Sequence, residues 1–90
     1  MGDEEPGTLE RMRNLGPVSA ARLRAVGIES PEELRLVGAV DAYVRLKRGF
    51  PAEITHGLLY ALHGAVTDVR WTALSEETRA ALRDAVLRRQ

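Results

Sequence analysis

The sequence predicts an all-α fold, a small bundle of five to six short helices that includes a helical hairpin near the amino end. Three observations lead there. Apolar residues recur at spacings of three and four, as on one face of a helix. No stretch sustains the alternation with β-branched residues that a half-buried strand needs. Proline, serine and glycine punctuate the chain where helices start and stop.

Residues 1–7 form a polar tail with Asp3, Glu4, Glu5, Pro6 and Gly7, expected to be disordered. The domain proper is expected over residues 8–90. Thr8 can cap a first helix, with Arg11 rather than glutamate at the capping-box position. Leu9, Met12 and Leu15 supply its apolar side. A tight turn follows at Asn14-Leu15-Gly16, and Pro17 suits the first position of the next helix, where its missing amide hydrogen is not needed. Ala20, Leu23 and Val26 mark the buried side of that helix, and Gly27 stops it.

Ser30-Pro31-Glu32-Glu33 is a helix start: a capping serine, proline at the first position and glutamate three residues after the cap. Leu34 and Val37 point inward, and Gly38 ends or bends this short helix. Val40, Tyr43, Val44 and Leu46 continue at helical spacing through Arg48. Gly49-Phe50-Pro51 is a break. With Ile54 and Leu58 after it, this segment echoes the first hairpin. Ile54, Leu58, Leu59, Leu62 and Val66 form the most apolar helix, expected at the centre. Trp71 and Leu74 cover it from a loop. Ser75-Glu76-Glu77-Thr78 opens the last helix, with Leu82, Val86 and Leu87 expected inside.

Ninety residues make one small domain, which buries only about 60–65% of its unfolded surface. An apolar content of 44% excludes a disordered chain, and 29% charged residues exclude a membrane span. No apolar run approaches the roughly 18 residues of a transmembrane helix. The first residues are acidic, unlike a signal peptide. There is no cysteine, hence no disulfide, thiolate zinc site or cysteine nucleophile. A cytoplasmic protein is expected.

The formal net charge is zero, which argues against a strongly nucleic-acid-loving domain. Its distribution is uneven. Residues 1–10 carry only acids, whereas residues 11–26 carry Arg11, Arg13, Arg22 and Arg24 and no acid. Glu29, Glu32, Glu33 and Asp41 then outweigh Arg35, and Arg45, Lys47 and Arg48 form a second basic cluster.

Catalytic signals are poor. His56 and His63 lie seven residues apart, without the nearby carboxylates a metal site would want. Ser19, Ser30 and Ser75 stand at or near helix starts, where capping explains them. No glycine-rich phosphate loop occurs. Phe50, Tyr43, Tyr60 and Trp71 have the spacing of packing residues rather than of a base-stacking platform. No catalytic residue, metal or cofactor is expected.

The hairpin is the feature with a chemical reading. A sharp reversal needs residues that tolerate positive φ, and Asn14 and Gly16 meet that need. Leu15 between them can plug the turn into the core. The amides of Leu15, Gly16 and Val18 would then face one side, at the start of a helix whose dipole favours an anion. Such a site holds a phosphate without reading bases.

At these residues the chain resembles the helix-hairpin-helix motif of DNA repair and recombination proteins. Asn14-Leu15-Gly16-Pro17-Val18-Ser19-Ala20 aligns with the second half of that motif. Asn14 stands where the motif has glycine, and Val18 where it has a basic residue. Over nearly the whole chain the sequence resembles the TfoX C-terminal domain family. The blocks that carry this are Leu15-Gly16-Pro17, Gly27-Ile28, Glu33-Leu34, 38–43 (Gly-Ala-Val-Asp-Ala-Tyr), 58–65 (Leu-Leu-Tyr-Ala-Leu-His-Gly-Ala) and 71–75 (Trp-Thr-Ala-Leu-Ser). The resemblance implies an all-helical domain with a helix-hairpin-helix element, linked to regulation of bacterial competence and often found beside an N-terminal domain. Only the tail precedes residue 8, so that N-terminal domain is not expected here.

Two functions remain open at this point. One is a non-enzymatic regulatory or adaptor domain that touches the DNA backbone weakly, through Asn14, Leu15, Gly16 and Val18 assisted by Arg11, Arg13 and Arg22. The other is a protein-interaction module or homodimer in which the hairpin only builds the fold. No membrane and no small-molecule substrate are expected in either.

Overall fold

The computed structural model describes residues 8–89. A 3-10 turn at Leu9–Arg11 leads into helices α1 (Pro17–Ala25), α2 (Pro31–Val37), α3 (Ala39–Gly49) and α4 (His56–Thr67). A second 3-10 turn at Trp71–Ala73 then joins α4 to α5 (Glu76–Arg89). The described residues contain no strand, so the fold is all-α as expected. The acidic tail, residues 1–7, lies outside the described residues.

Most helix boundaries follow from their end residues. Ser30 caps α2 by accepting a hydrogen bond from the Glu33 amide at 3.1 Å. The Glu33 carboxylate reaches back to accept from the Glu29 amide at 2.6 Å, one residue further out than the usual capping box. Gly27, at φ 90°, ends α1 in a Schellman motif. There the Ile28 amide donates to the Leu23 carbonyl at 2.9 Å and the Gly27 amide to that of Arg24 at 3.0 Å. Leu23 and Ile28, brought together by this closure, are both fully buried. Gly38, at φ 88°, is the single residue between α2 and α3. Ser75 accepts from the Thr78 amide at 3.1 Å and so caps α5.

The first helix is the exception. Thr8 makes no side-chain cap, and only the three residues of Leu9–Arg11 wind, as a 3-10 turn. The segment between the tail and the hairpin is too short to repay helix nucleation. A 3-10 turn has three residues per turn, so Leu9 and Met12 still fall on one side, and both are buried. The echo at Gly49-Phe50-Pro51 does not reproduce the first hairpin either. Pro17 opens α1, whereas Pro51 lies in a separate turn and α4 starts only at His56.

The core is one cluster, with Leu9, Leu23, Ile28, Leu34, Leu46, Ile54, Leu59 and Leu62 as its largest fully buried side chains. Helix α3 packs against each of the other four α-helices, while α4 packs against α2, α3 and α5. The hub is therefore α3 rather than the more apolar α4. Leu87, expected inside, is 69% exposed. Leu82 and Val86 already form the buried seam of α5 one turn apart, and Leu87 falls beside it. No helix among the described residues is long and apolar enough to cross a membrane.

Candidate functional site

The hairpin runs from Met12 to Gly16. Met12 is extended, at φ −69° and ψ 146°, and its carbonyl accepts from the Leu15 amide at 3.2 Å. The Leu15 amide is therefore used inside the turn and is not directed at a ligand. The Leu15 side chain plugs into the core, 8% exposed. Asn14 alone supplies the left-handed backbone, at φ 72°. Gly16, expected to share that role, is extended at φ −131° and serves as the N-cap of α1. One left-handed residue is enough to reverse the chain, after which an extended N-cap leads into a helix in the ordinary way.

The Asn14 side chain is turned inward. Its Nδ2 donates to the Val69 carbonyl at 2.9 Å and, more weakly, to that of Ala61 at 3.4 Å. Its Oδ1 accepts from the Trp71 amide at 3.2 Å. Beside it, Arg13 Nε donates to Asp68 Oδ1 at 3.0 Å. Together these bonds latch the hairpin onto the corner where α4 ends. That corner is itself a Schellman closure: Asp68 is left-handed at φ 61°, and the Val69 amide donates to the Gly64 carbonyl at 2.8 Å. Gly64 lets the latch close. A Cβ there would lie 2.2 Å from Asn14 Nδ2 and 2.3 Å from the Val69 carbonyl oxygen.

The remaining expected site residues are dispersed. Val18 is 63% exposed, and no described residue accepts from its amide or from that of Gly16. Arg11 is exposed. The Arg22 guanidinium lies 5.6 Å from the Phe50 ring centroid, a cation–π stack. Arg24 grips Glu10 with two hydrogen bonds of 2.6 and 2.7 Å. That pair holds the Glu10 carboxyl far below its ordinary value of 4.5, at about 2, chiefly through the Arg24 hydrogen bond.

A cleft of about 540 Å³ opens between the hairpin, the start of α2 and the end of α4. It gathers Arg11, Arg13 and Arg35, but also Glu32 and Asp68. The carboxyl end of α4 adds a partial negative charge there. Its field is mixed rather than basic, and Arg22 does not line it.

The sequence reading missed Gly64, Asp68, Val69 and Trp71 as partners of the hairpin. One signal was present. A glycine inside the most apolar helix costs about 1 kcal/mol relative to alanine, which asks for a packing reason. Trp71 was read as a cover for the core. It instead leaves 44% of its surface exposed and shares the Arg79 guanidinium with Tyr60, at 5.9 and 5.4 Å from the two ring centroids.

Comparison with known proteins gives a family and a fold. The family model described as TfoX C-terminal domain matches residues 5–86. A crystal structure of an uncharacterized protein from Listeria monocytogenes, in a triclinic form, is 34% identical with a TM-score of 0.80. The match covers 84% of this chain and 85% of that one. A tetragonal crystal form of a Listeria monocytogenes protein of unknown function is 34% identical with a TM-score of 0.79, covering 84% of this chain and 93% of that one. No curated protein matches.

Proposed function

The chain belongs to the TfoX C-terminal domain family, and from that premise we propose that it is a non-enzymatic regulatory or adaptor domain of the bacterial cytoplasm that acts by binding another protein. The observation that carries this reading is the inward latch of Asn14, which spends the hairpin's amide side chain on Val69 and Trp71. Arg13 and Arg22 are likewise engaged, with Asp68 and Phe50. A zero net charge supports the same reading. The partner is a different protein or a second copy of this chain, and competence regulation is the setting the family suggests.

Contact with the DNA backbone is the second reading. It is favoured by the Gly16 and Val18 amides at the start of α1, which no described residue engages, and by the exposed Arg11 nearby. Each phosphate neutralised would contribute a slope of about −0.9 in log affinity against log salt. Fluorescence anisotropy of a labelled duplex across a salt series separates the two. The protein-contact reading expects no saturable binding near about 50 mM salt, where backbone contacts are still strong. Saturable binding that weakens with salt and drops in an Arg11→Ala/Arg22→Ala variant would establish the DNA reading in its place.

A further inference from the structure

A second cleft, of about 290 Å³, lies between α3, the start of α4 and the carboxyl half of α5. It is lined by Tyr43, Lys47, His56, Arg83, Val86 and Leu87. Its apolar part is firm at the base and open at the lip. Tyr43 and Val86 are 3% and 4% exposed, whereas Leu87 is 69% exposed. Among the described residues, its charged lining side chains are cations and no acid lines it.

Both cations are held in place by the fold. Lys47 Nζ donates to the Pro51 carbonyl at 2.9 Å and to the Ile54 carbonyl at 2.8 Å. An ammonium has three donors, so one is left over. Arg83 donates to the Tyr60 hydroxyl at 2.6 Å and to Glu76 at 2.8 Å. A guanidinium has five donors, so it too retains capacity. Glu76 fixes Arg83 without lining the cleft. The His56 ring is exposed at the start of α4, its centroid 6.2 Å from that of Tyr43 and 6.5 Å from that of Tyr60. Cations already ordered before binding lose little freedom when an anion arrives.

We propose that this cleft binds an acidic peptide segment of a partner protein, one that presents a carboxylate beside an aliphatic side chain. The aliphatic group rests on Tyr43, Val86 and Leu87, and the carboxylate meets Lys47 and Arg83. Charge complementarity selects the occupant: the charged side chains lining the cleft are Lys47 and Arg83, while Glu76 is committed to Arg83 outside the lining. The buried apolar base favours a side chain over a bare inorganic anion. The volume, at the small end for ligand pockets, fits one side chain with its neighbouring carboxylate. This inference rests on the reading of the domain as a protein-binding module.

The test is an amide-resolved NMR titration of the full chain with acetyl-Glu-Leu-Glu-Leu-amide, with acetyl-Gln-Leu-Gln-Leu-amide as the neutral control. The expected result is a saturable shift at Tyr43, Lys47, His56, Arg83 and Leu87 with the acidic peptide alone. Arg83→Gln should weaken binding about tenfold or more, the loss of one charge-assisted hydrogen bond. Leu87→Asp places a carboxylate on the exposed lip without touching the core and should abolish binding. Leu36→Asp, at an exposed position on α2 outside the cleft, should leave it unchanged. No shift at peptide concentrations up to about 5 mM, enough to detect millimolar affinity, would overturn the inference. So would equal shifts with the neutral peptide, or the same resonances answering to a DNA duplex instead. A flat titration removes this cleft only; the duplex anisotropy judges the protein-binding reading separately.

Discussion

At Asn14 a left-handed backbone, φ 72°, coincides with side-chain bonds to Val69 and Trp71. The two contributions can be separated by substitution. Asn14→Gly keeps the backbone conformation and removes the bonds, and should lower stability by about 1–2 kcal/mol. Asn14→Ala removes the bonds too but, unlike glycine, keeps a Cβ in the left-handed region without asparagine's local polar compensation, for about 1 kcal/mol more than Asn14→Gly. Urea denaturation of the two variants measures both, and equal midpoints for glycine and alanine would refute the backbone contribution. The turn at Asn14 was legible in the sequence, because asparagine tolerates positive φ and a Gly-Pro pair follows. The direction of its side chain was not. Its partners Ala61, Val69 and Trp71 lie 47, 55 and 57 residues away, beyond any local pattern. The left-handed role assigned to Gly16 failed for the reason described above: one such residue already completes the reversal.

Among the elements, α4 shows how tertiary packing overrides helix propensity. In an isolated helix Gly64→Ala would stabilise by about 1 kcal/mol. Here the new methyl meets Asn14 Nδ2 and the Val69 carbonyl at 2.2 and 2.3 Å. Gly64→Ala should therefore lower stability by about 2 kcal/mol or more, the usual cost of overpacking a site that cannot yield. Combining it with Asn14→Gly should not restore the loss, because the Val69 carbonyl is backbone and remains in the way. Thermal melts of the single and double variants test this, and full recovery in the double variant would show Asn14 to be the sole obstacle. Helices whose ends carry their own instructions were legible: Ser30, Pro31 and Glu33 for α2, Gly27 for α1, Ser75 for α5. The expected first helix was not, since whether a short segment winds as α or 3-10 depends on what anchors its two ends.

For the molecule as a whole, the zero net charge hides ion pairs, most of them between distant parts of the chain. Glu10 pairs with Arg24, Arg13 with Asp68, Asp41 with Arg89 and Glu76 with Arg83. The basic run at residues 11–26 looked like a binding surface because its acidic partners at Glu10 and Asp68 lie outside it. These pairs shape the acid limb of stability. The Glu10 carboxyl titrates at about 2 in the fold against an ordinary 4.5, and Glu76 is lowered in the same direction by its Arg83 hydrogen bond. A depressed carboxyl contributes stability above the unfolded value and loses it as pH falls towards the folded one. Stability should therefore decline between about pH 4.5 and about 2. Glu10→Gln should flatten part of that decline, modestly, since the pair is exposed. Denaturation midpoints measured across this range check it, and superimposable profiles would mean that the Glu10–Arg24 pair contributes nothing in solution.

Trp71 is the chain's only tryptophan. Its amide donates to Asn14, and its indole shares Arg79 with Tyr60. The molecule thus carries a built-in fluorophore at the seam between its two chain halves. Emission from that single indole reports hairpin undocking without a label, and collisional quenching grades the opening, because the ring is already part-way into solvent.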